Sequence, residues 1–142
     1  MKTVRQLLQL KGAGVISIAP EASVLEALKL MAERDVGALI VLDGDRLVGM
    51  LSERDYARKI ILHGKSSKET TIREIMTDKV FHVEPSQTVE QCMQLMTERH
   101  IRHLPVLEGD KVVGVISIGD AVKEVISEQQ FTIKQLVDYI KR

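Results

Sequence analysis

No tryptophan occurs among these 142 residues, and there are only two tyrosines and two phenylalanines. Aliphatic side chains must therefore build the core, and no aromatic platform exists on which single-stranded nucleic acid could stack. An excess of charge of either sign is also lacking, because 20 Lys and Arg balance 20 Asp and Glu. A neutral chain has no global field to draw nucleic acid or a membrane surface, so any anion site must be local. The single cysteine, Cys92, excludes an internal disulfide. On the apolar face of a predicted helix it reads as a small buried hydrophobe. No apolar run nears the ~20 residues of a membrane span, and the N-terminus carries no signal-peptide core. These absences point to a cytoplasmic protein. What is present is 44% hydrophobic residues, enough for a core in one domain or in two interlocked halves.

The chain repeats itself. Shifted by 65 positions, Val15–Ile60 falls on Val80–Val125 without a gap, and sixteen of the 46 pairs are identical. Among them are Pro20/Pro85, Met31/Met96, Gly49/Gly114, Ser52/Ser117 and Asp55/Asp120. Each copy is then one supersecondary unit, and a pocket at the junction of two copies should occur twice.

Ser23-Val-Leu-Glu26 and Thr88-Val-Glu-Gln91 read as capping boxes that open amphipathic helices over about 23–34 and 88–99. Aliphatic runs on either side of Asp43-Gly-Asp45 and Glu108-Gly-Asp110 read as β-hairpins. Pro105 suits an edge strand or a strand start. Val15–Ile18 and Val80–Val83 read as short strands stopped by Pro20 and Pro85, and a second helix opens at Ser52 or Ser117. The order per copy is β-α-β-β-α, an α/β (α+β) fold of two repeats with pseudo-twofold symmetry. The predicted boundaries are a first repeat with an N-terminal helix (1–62), a linker (63–74), a second repeat (75–128) and a C-terminal helix (129–142). The apolar face at 133, 136, 137 and 140 suits a dimer contact or packing on its own domain equally well.

No catalytic constellation emerges. His63, His82, His100 and His103 lack zinc-motif spacing, and no phosphate-binding glycine loop is present. What remains is Gly49-Met-Leu-Ser-Glu-Arg-Asp55 and its echo Gly114-Val-Ile-Ser-Ile-Gly-Asp120. Ser-x-x-Asp is a capping arrangement in its own right. The same geometry offers free N–H groups to an anion and a carboxylate to the two hydroxyls of a ribose.

With both copies of Gly-h-h-Ser-x-x-Asp, the Met31-Ala-Glu-Arg and Met96-Thr-Glu-Arg helix ends, Leu104-Pro-Val-Leu-Glu-Gly-Asp110 and Ile75-Met-Thr77, the chain resembles a tandem pair of CBS (cystathionine β-synthase) domains, a Bateman module, over about residues 12–126. The resemblance is to free-standing bacterial signal-transduction proteins. It implies regulation and not catalysis, flat disc-like homodimers, and adenosine ligands in clefts between the repeats: AMP foremost, with ADP, ATP, NAD or S-adenosylmethionine as alternatives. It implies that Asp55 and Asp120 each hold a ribose diol, helped by Ser52 and Ser117. Thr77, Val80, Phe81 and His82 would meet the adenine of the second site, as Gly14, Val15, Ile16 and Ser17 would in the first. Val36, Gly37 and Ala38, and Arg102, His103, Leu104 and Pro105, would line the clefts from the opposite repeat.

The copies differ where charge matters. Arg54 and Arg58 become Gly119 and Lys123, and Gly37-Ala38 becomes Arg102-His103. A solvated helix end accounts for Arg99 and His100, but less well for Arg102 and His103, which enter a strand. If the halves cross-pack, the site with Arg54 gains Arg102 and His103 and becomes cationic. The other, facing Gly37-Ala38, would be weak in phosphate contacts or empty. The alternative function is a structural dimerisation module that binds no ligand. No nucleic-acid, membrane or metal partner is expected.

Overall fold

A computed structural model describes residues 2–12 and 14–141. Met1, Ala13 and Arg142, which fall inside expected segments, lie outside the described residues. The elements are α1 (Val4–Lys11), β1 (Ser17–Ile18), α2 (Val24–Arg34), β2 (Ala38–Asp43), β3 (Arg46–Ser52), α3 (Glu53–Tyr56) running into a π-helical stretch (Ala57–Ile61), α4 (Ile72–Ile75), α5 (Val89–Arg99), β4 (His103–Glu108), β5 (Lys111–Ser117) and α6 (Ile118–Ile140). They form a mixed α+β fold in two compact units. One unit holds Val15–Phe81 with Gly109–Val112; the other holds the chain up to Gly14, His82–Glu108 and the residues from Val113 onward.

In the first-repeat unit, β1 pairs in parallel with β2, and β2 pairs antiparallel with β3 with a bulge at Val41/Leu42. The helix α2 starts where the sequence places it. Ser23 accepts from the Glu26 amide, and Glu26 returns the bond to the Ser23 amide. Such a cap is worth about 1 kcal/mol. Its apolar stripe, Val24, Ala27 and Met31, packs with Leu39, Val41, Leu51, Ile60, Ile72 and Ile75. In the second unit Thr88 and Gln91 make the same box. Val89, Cys92 and Met96 then pack with Leu104, Val106, Ile116, Ala121, Val4 and Leu7. Burying one such aliphatic side chain contributes about 1.5–3 kcal/mol. Six of these core positions match across the 65-residue shift: 24/89, 27/92, 31/96, 39/104, 41/106 and 51/116.

A second repeat, hidden at a different shift, emerges from the structure. Thr3-Val-Arg-Gln-Leu-Leu8 corresponds to Thr71-Ile-Arg-Glu-Ile-Met76, 68 positions apart. Both are capping boxes. Thr3 bridges Thr88 as Thr71 bridges Ser23. The amides of Val4 and Arg5 bond Gln87 O and Pro85 O, as those of Ile72 and Arg73 bond Ala22 O and Pro20 O. Arg5 pairs with Glu108 as Arg73 lies near Asp43. Thus α1, grouped by sequence with the first repeat, packs in the second-repeat core, and the first-repeat core receives α4.

Three other expectations change. Val15–Ile18 shortens to Ser17–Ile18. Val80–Val83 does not form a strand: only Val83 bridges β4, in parallel with Val106. The C-terminal helix is not separate. It continues α6 without a break, because Ser127-Glu-Gln-Gln130 is polar but contains no Gly or Pro to stop a helix.

Candidate functional site

Each repeat presents one Ser-x-x-Asp element where its hairpin's second strand ends and a helix begins. Ser52 caps α3: its Oγ accepts from the Asp55 amide (3.2 Å), and Asp55 Oδ2 accepts from the Ser52 amide (2.9 Å) and hydroxyl (3.1 Å). Asp55 Oδ1 accepts from the Thr77 hydroxyl (3.2 Å) and lies 3.3 Å from Lys59 Nζ. Ser117 caps α6 in the same way, with Asp120 Oδ2 accepting from the Ser117 amide at 2.9 Å. That same oxygen accepts from Lys11 Nζ at 2.7 Å, and Lys11 also donates to Val115 O at 2.8 Å. Both capping and positioning of a carboxylate are therefore realised by one device, and capping does not remove the negative charge.

Electrostatics at Asp120 are a balance. Burial pushes its carboxyl up, while the Lys11 hydrogen bond, the Ser117 amide, the Lys11 charge and the Ser117 hydroxyl outweigh burial and hold it below the usual carboxylate range. Cys92, fully buried, is pushed up to about 11 by burial and is a core residue.

Backbone groups complete each element. Gly37 O accepts from the Glu53 amide (3.0 Å), and its counterpart Arg102 O accepts from the Ile118 amide (2.8 Å). These carbonyls satisfy the first orphan donor of each helix. Gly49 and Gly114 allow close approach. A Cβ at Gly49 would lie 2.6 Å from Met76 Sδ and 2.9 Å from Thr77 O, and one at Gly114 would lie 2.6 Å from Leu8 Cδ2.

Within the first-repeat unit the structure brings together Ser52, Asp55, Gly37 and Thr77. Thr77, which the resemblance groups with the second site, has its hydroxyl on the first Asp. Arg54 is half-buried one residue before Asp55; Ile16 and Ser17 lie on or beside β1, Val36 and Ala38 at the start of β2, and Val80 and Phe81 follow α4 in the same unit. Within the second-repeat unit Arg102 meets the Ser117 element through its own carbonyl. His103 begins β4, Leu104 and Pro105 are buried in it, and His82 is exposed beside Val83. Sequence reasoning missed Lys11 and Lys59. It noted that Arg54 has no counterpart beside Asp120, and the structure places Lys11 there. The available signal is the 68-residue match, which places α1 against the second hairpin.

Among the described residues, no group of three or more His, Cys, Asp and Glu is placed to hold a metal ion, and no helix is long and apolar enough to cross a membrane. The element is an acceptor site: two capped carboxylates, each with a serine hydroxyl and a lysine ammonium beside it.

The CBS domain model matches residues 12–62 and again 72–127. The chain belongs to the CBS domain family. It is 42% identical over 124 residues to the CBS domain-containing protein CBSX3, mitochondrial, of Arabidopsis thaliana, covering 84% of this chain and 60% of that relative's length. A solved structure of a protein with CBS domains from Burkholderia ambifaria MC40-6 is 53% identical, with a TM-score of 0.87, covering 93% of this chain and 99% of that one. The CBS domain pair of protein MJ0100, solved with 5′-methylthioadenosine and S-adenosyl-L-methionine, shares the fold at 24% identity (TM-score 0.79, 91% and 98% covered). CBS-domain proteins are regulatory modules.

Proposed function

We propose that this CBS pair is a cytoplasmic sensor of an adenosine nucleotide, AMP foremost, with ADP, ATP, NAD or S-adenosylmethionine as the other members of the class. The observation that carries the reading is the doubled Ser-x-x-Asp element. It holds a carboxylate at a helix N-terminus, which suits two ribose O–H donors. That a CBS pair of the same fold holds 5′-methylthioadenosine and S-adenosyl-L-methionine supports the ligand class. The sites proposed are Ser52, Arg54 and Asp55, and Ser117 with Asp120, with Arg102 and His103 as further candidate phosphate ligands. The adenine would lie against residues from the 16–17 and 77–82 segments, with 36–38 and 102–105 as further candidate contacts. Ligand acts by shifting the population of two module conformations, which a partner reads.

The module is proposed to work as a homodimer. Along α6, Ile126, Phe131, Ile133, Leu136, Tyr139 and Ile140 are exposed, an apolar face that suits an isologous contact. That face also favours the alternative, a dimerisation module without ligand. A thermal-shift panel of adenosine, AMP, ADP, ATP, NAD and S-adenosylmethionine separates the two. A ligand at 100 times its Kd stabilises by about 2.7 kcal/mol. No shift with any of them leaves dimerisation as the function.

A further inference from the structure

We propose that Lys11 is a built-in competitor for the carboxylate of the second Ser-x-x-Asp element, so that a ribose takes Asp120 only when the last turn of α1 lets go. This rests on the ligand-binding reading above and adds a regulatory contact to one of its two sites. Lys11 Nζ bonds Asp120 Oδ2 at 2.7 Å and Val115 O at 2.8 Å. In the first repeat the same two partners, Asp55 and Met50, are met by Thr77, through its hydroxyl and its backbone amide. The two arrangements differ in how firmly they are held. Thr77 is fixed by a reciprocal backbone pair with Met50, at 2.9 and 3.0 Å. Lys11 reaches its partners only with a flexible side chain from the last residue of a helix.

Release is local. Leu10 is 66% exposed, and one bond from the Gly12 amide to Leu8 O closes the final turn. Gly12 follows at φ +97°, with open space where a Cβ would stand, so no side chain packs over the end of the helix there. The body of α1 stays in place, because Val4 and Leu7 are buried and Leu8 rests on Gly114. Lys59 is not a comparable competitor. It belongs to the same helical segment as Asp55, donates to Ile75 O at 2.8 Å and stands 3.3 Å from the carboxylate. Filling the Asp120 element therefore releases Lys11 from the second hairpin, whereas Thr77 stays fixed to Met50 through its backbone when the Asp55 element is filled.

The test is calorimetric titration of adenosine and AMP into the full chain carrying Asp55→Asn, which isolates the second element. Lys11→Met, Lys11→Arg and Lys11→Met with Asp120→Asn are then added on that background. Lys11→Met is expected to tighten adenosine about tenfold, as when a competent state populated at roughly a tenth becomes the only one. Lys11→Arg should keep the parent affinity, and Asp120→Asn should abolish the gain. Unchanged or weaker adenosine binding in Lys11→Met overturns the proposal, as does a loss confined to AMP, which would make Lys11 a phosphate ligand. If the wild-type protein binds through Asp55 while Lys11→Met adds nothing, the competitor falls and the sensor stands. If no variant binds either probe, both fall.

Discussion

At Asp120, burial works against ionisation while Lys11 and Ser117 work for it and win. The folded group therefore titrates below its unfolded value of about 3.9, and folding stabilises the ionised form. That contribution is complete above about pH 5 and is lost as pH falls through the folded value. Lys11→Met should thus cost about 1 kcal/mol near neutrality, the scale of a partly exposed ion pair. Once the pH has fallen through the folded value, the mutant and wild-type stabilities should converge. Urea titrations near neutrality and in acid check this, and a cost that persists in acid would show that packing of the lysine stem is responsible. Cys92 behaves in the opposite sense. With its thiol raised to about 11 and no exposure, it should resist a thiolate-directed label at pH 8 in the native protein and react fully in denaturant. Labelling of the native chain on the time scale of free thiol would contradict the buried assignment. The cysteine's burial was legible from its place on an apolar helix face. Lys11 was not, because its partner lies 109 residues away and no local pattern links them.

At the scale of elements, α2 and α5 were read almost to the residue, because Ser23-Val-Leu-Glu26 and Thr88-Val-Glu-Gln91 are start signals contained within four positions. Both hairpins were legible for the same reason, through Gly44 and Gly109 at φ +64° between aliphatic runs. What failed depended on tertiary context. The Val80–Val83 run has strand composition but makes only the single bridge at Val83. The kinship of α1 and α4 escaped a scan at 65 residues because it lies at 68. Those two helices explain the matched glycines. At Gly49 a methyl group would meet the Thr77 carbonyl as well as Met76, and backbone cannot step aside. At Gly114 it meets only the Leu8 side chain. Gly49→Ala should therefore destabilise by about 1–3 kcal/mol, the range for overpacking, and Gly114→Ala by less. Thermal melts of the two variants compare them directly. A larger loss at Gly114 would mean that the α1 contact is the more rigid.

For the whole molecule, the family and its repeat order were legible because the doubled Gly-h-h-Ser-x-x-Asp signature survives in both copies. Whether the elements gather a ligand between them depends on packing that spacing alone does not encode. The exposed apolar face of α6 predicts association. Sedimentation at micromolar concentration should show a dimer, and Leu136→Glu with Ile140→Glu should return it to monomer without loss of helix by circular dichroism. A wild-type monomer would refute the contact. The central claim is that a capped carboxylate at the head of the second helix in each repeat holds the ribose of an adenosine ligand. Titration of AMP into wild type, Asp55→Asn and Asp120→Asn tests it most directly, since Asn can still accept the serine amide but cannot offer both hydroxyls an anionic oxygen. Asp55→Asn should weaken AMP about ten- to a hundredfold, the worth of one charge-assisted hydrogen bond. Asp120→Asn should weaken it less, because Lys11 already occupies that carboxylate, and both variants should remain folded. AMP binding left intact by Asp55→Asn, or absent from the wild-type protein, would contradict the account.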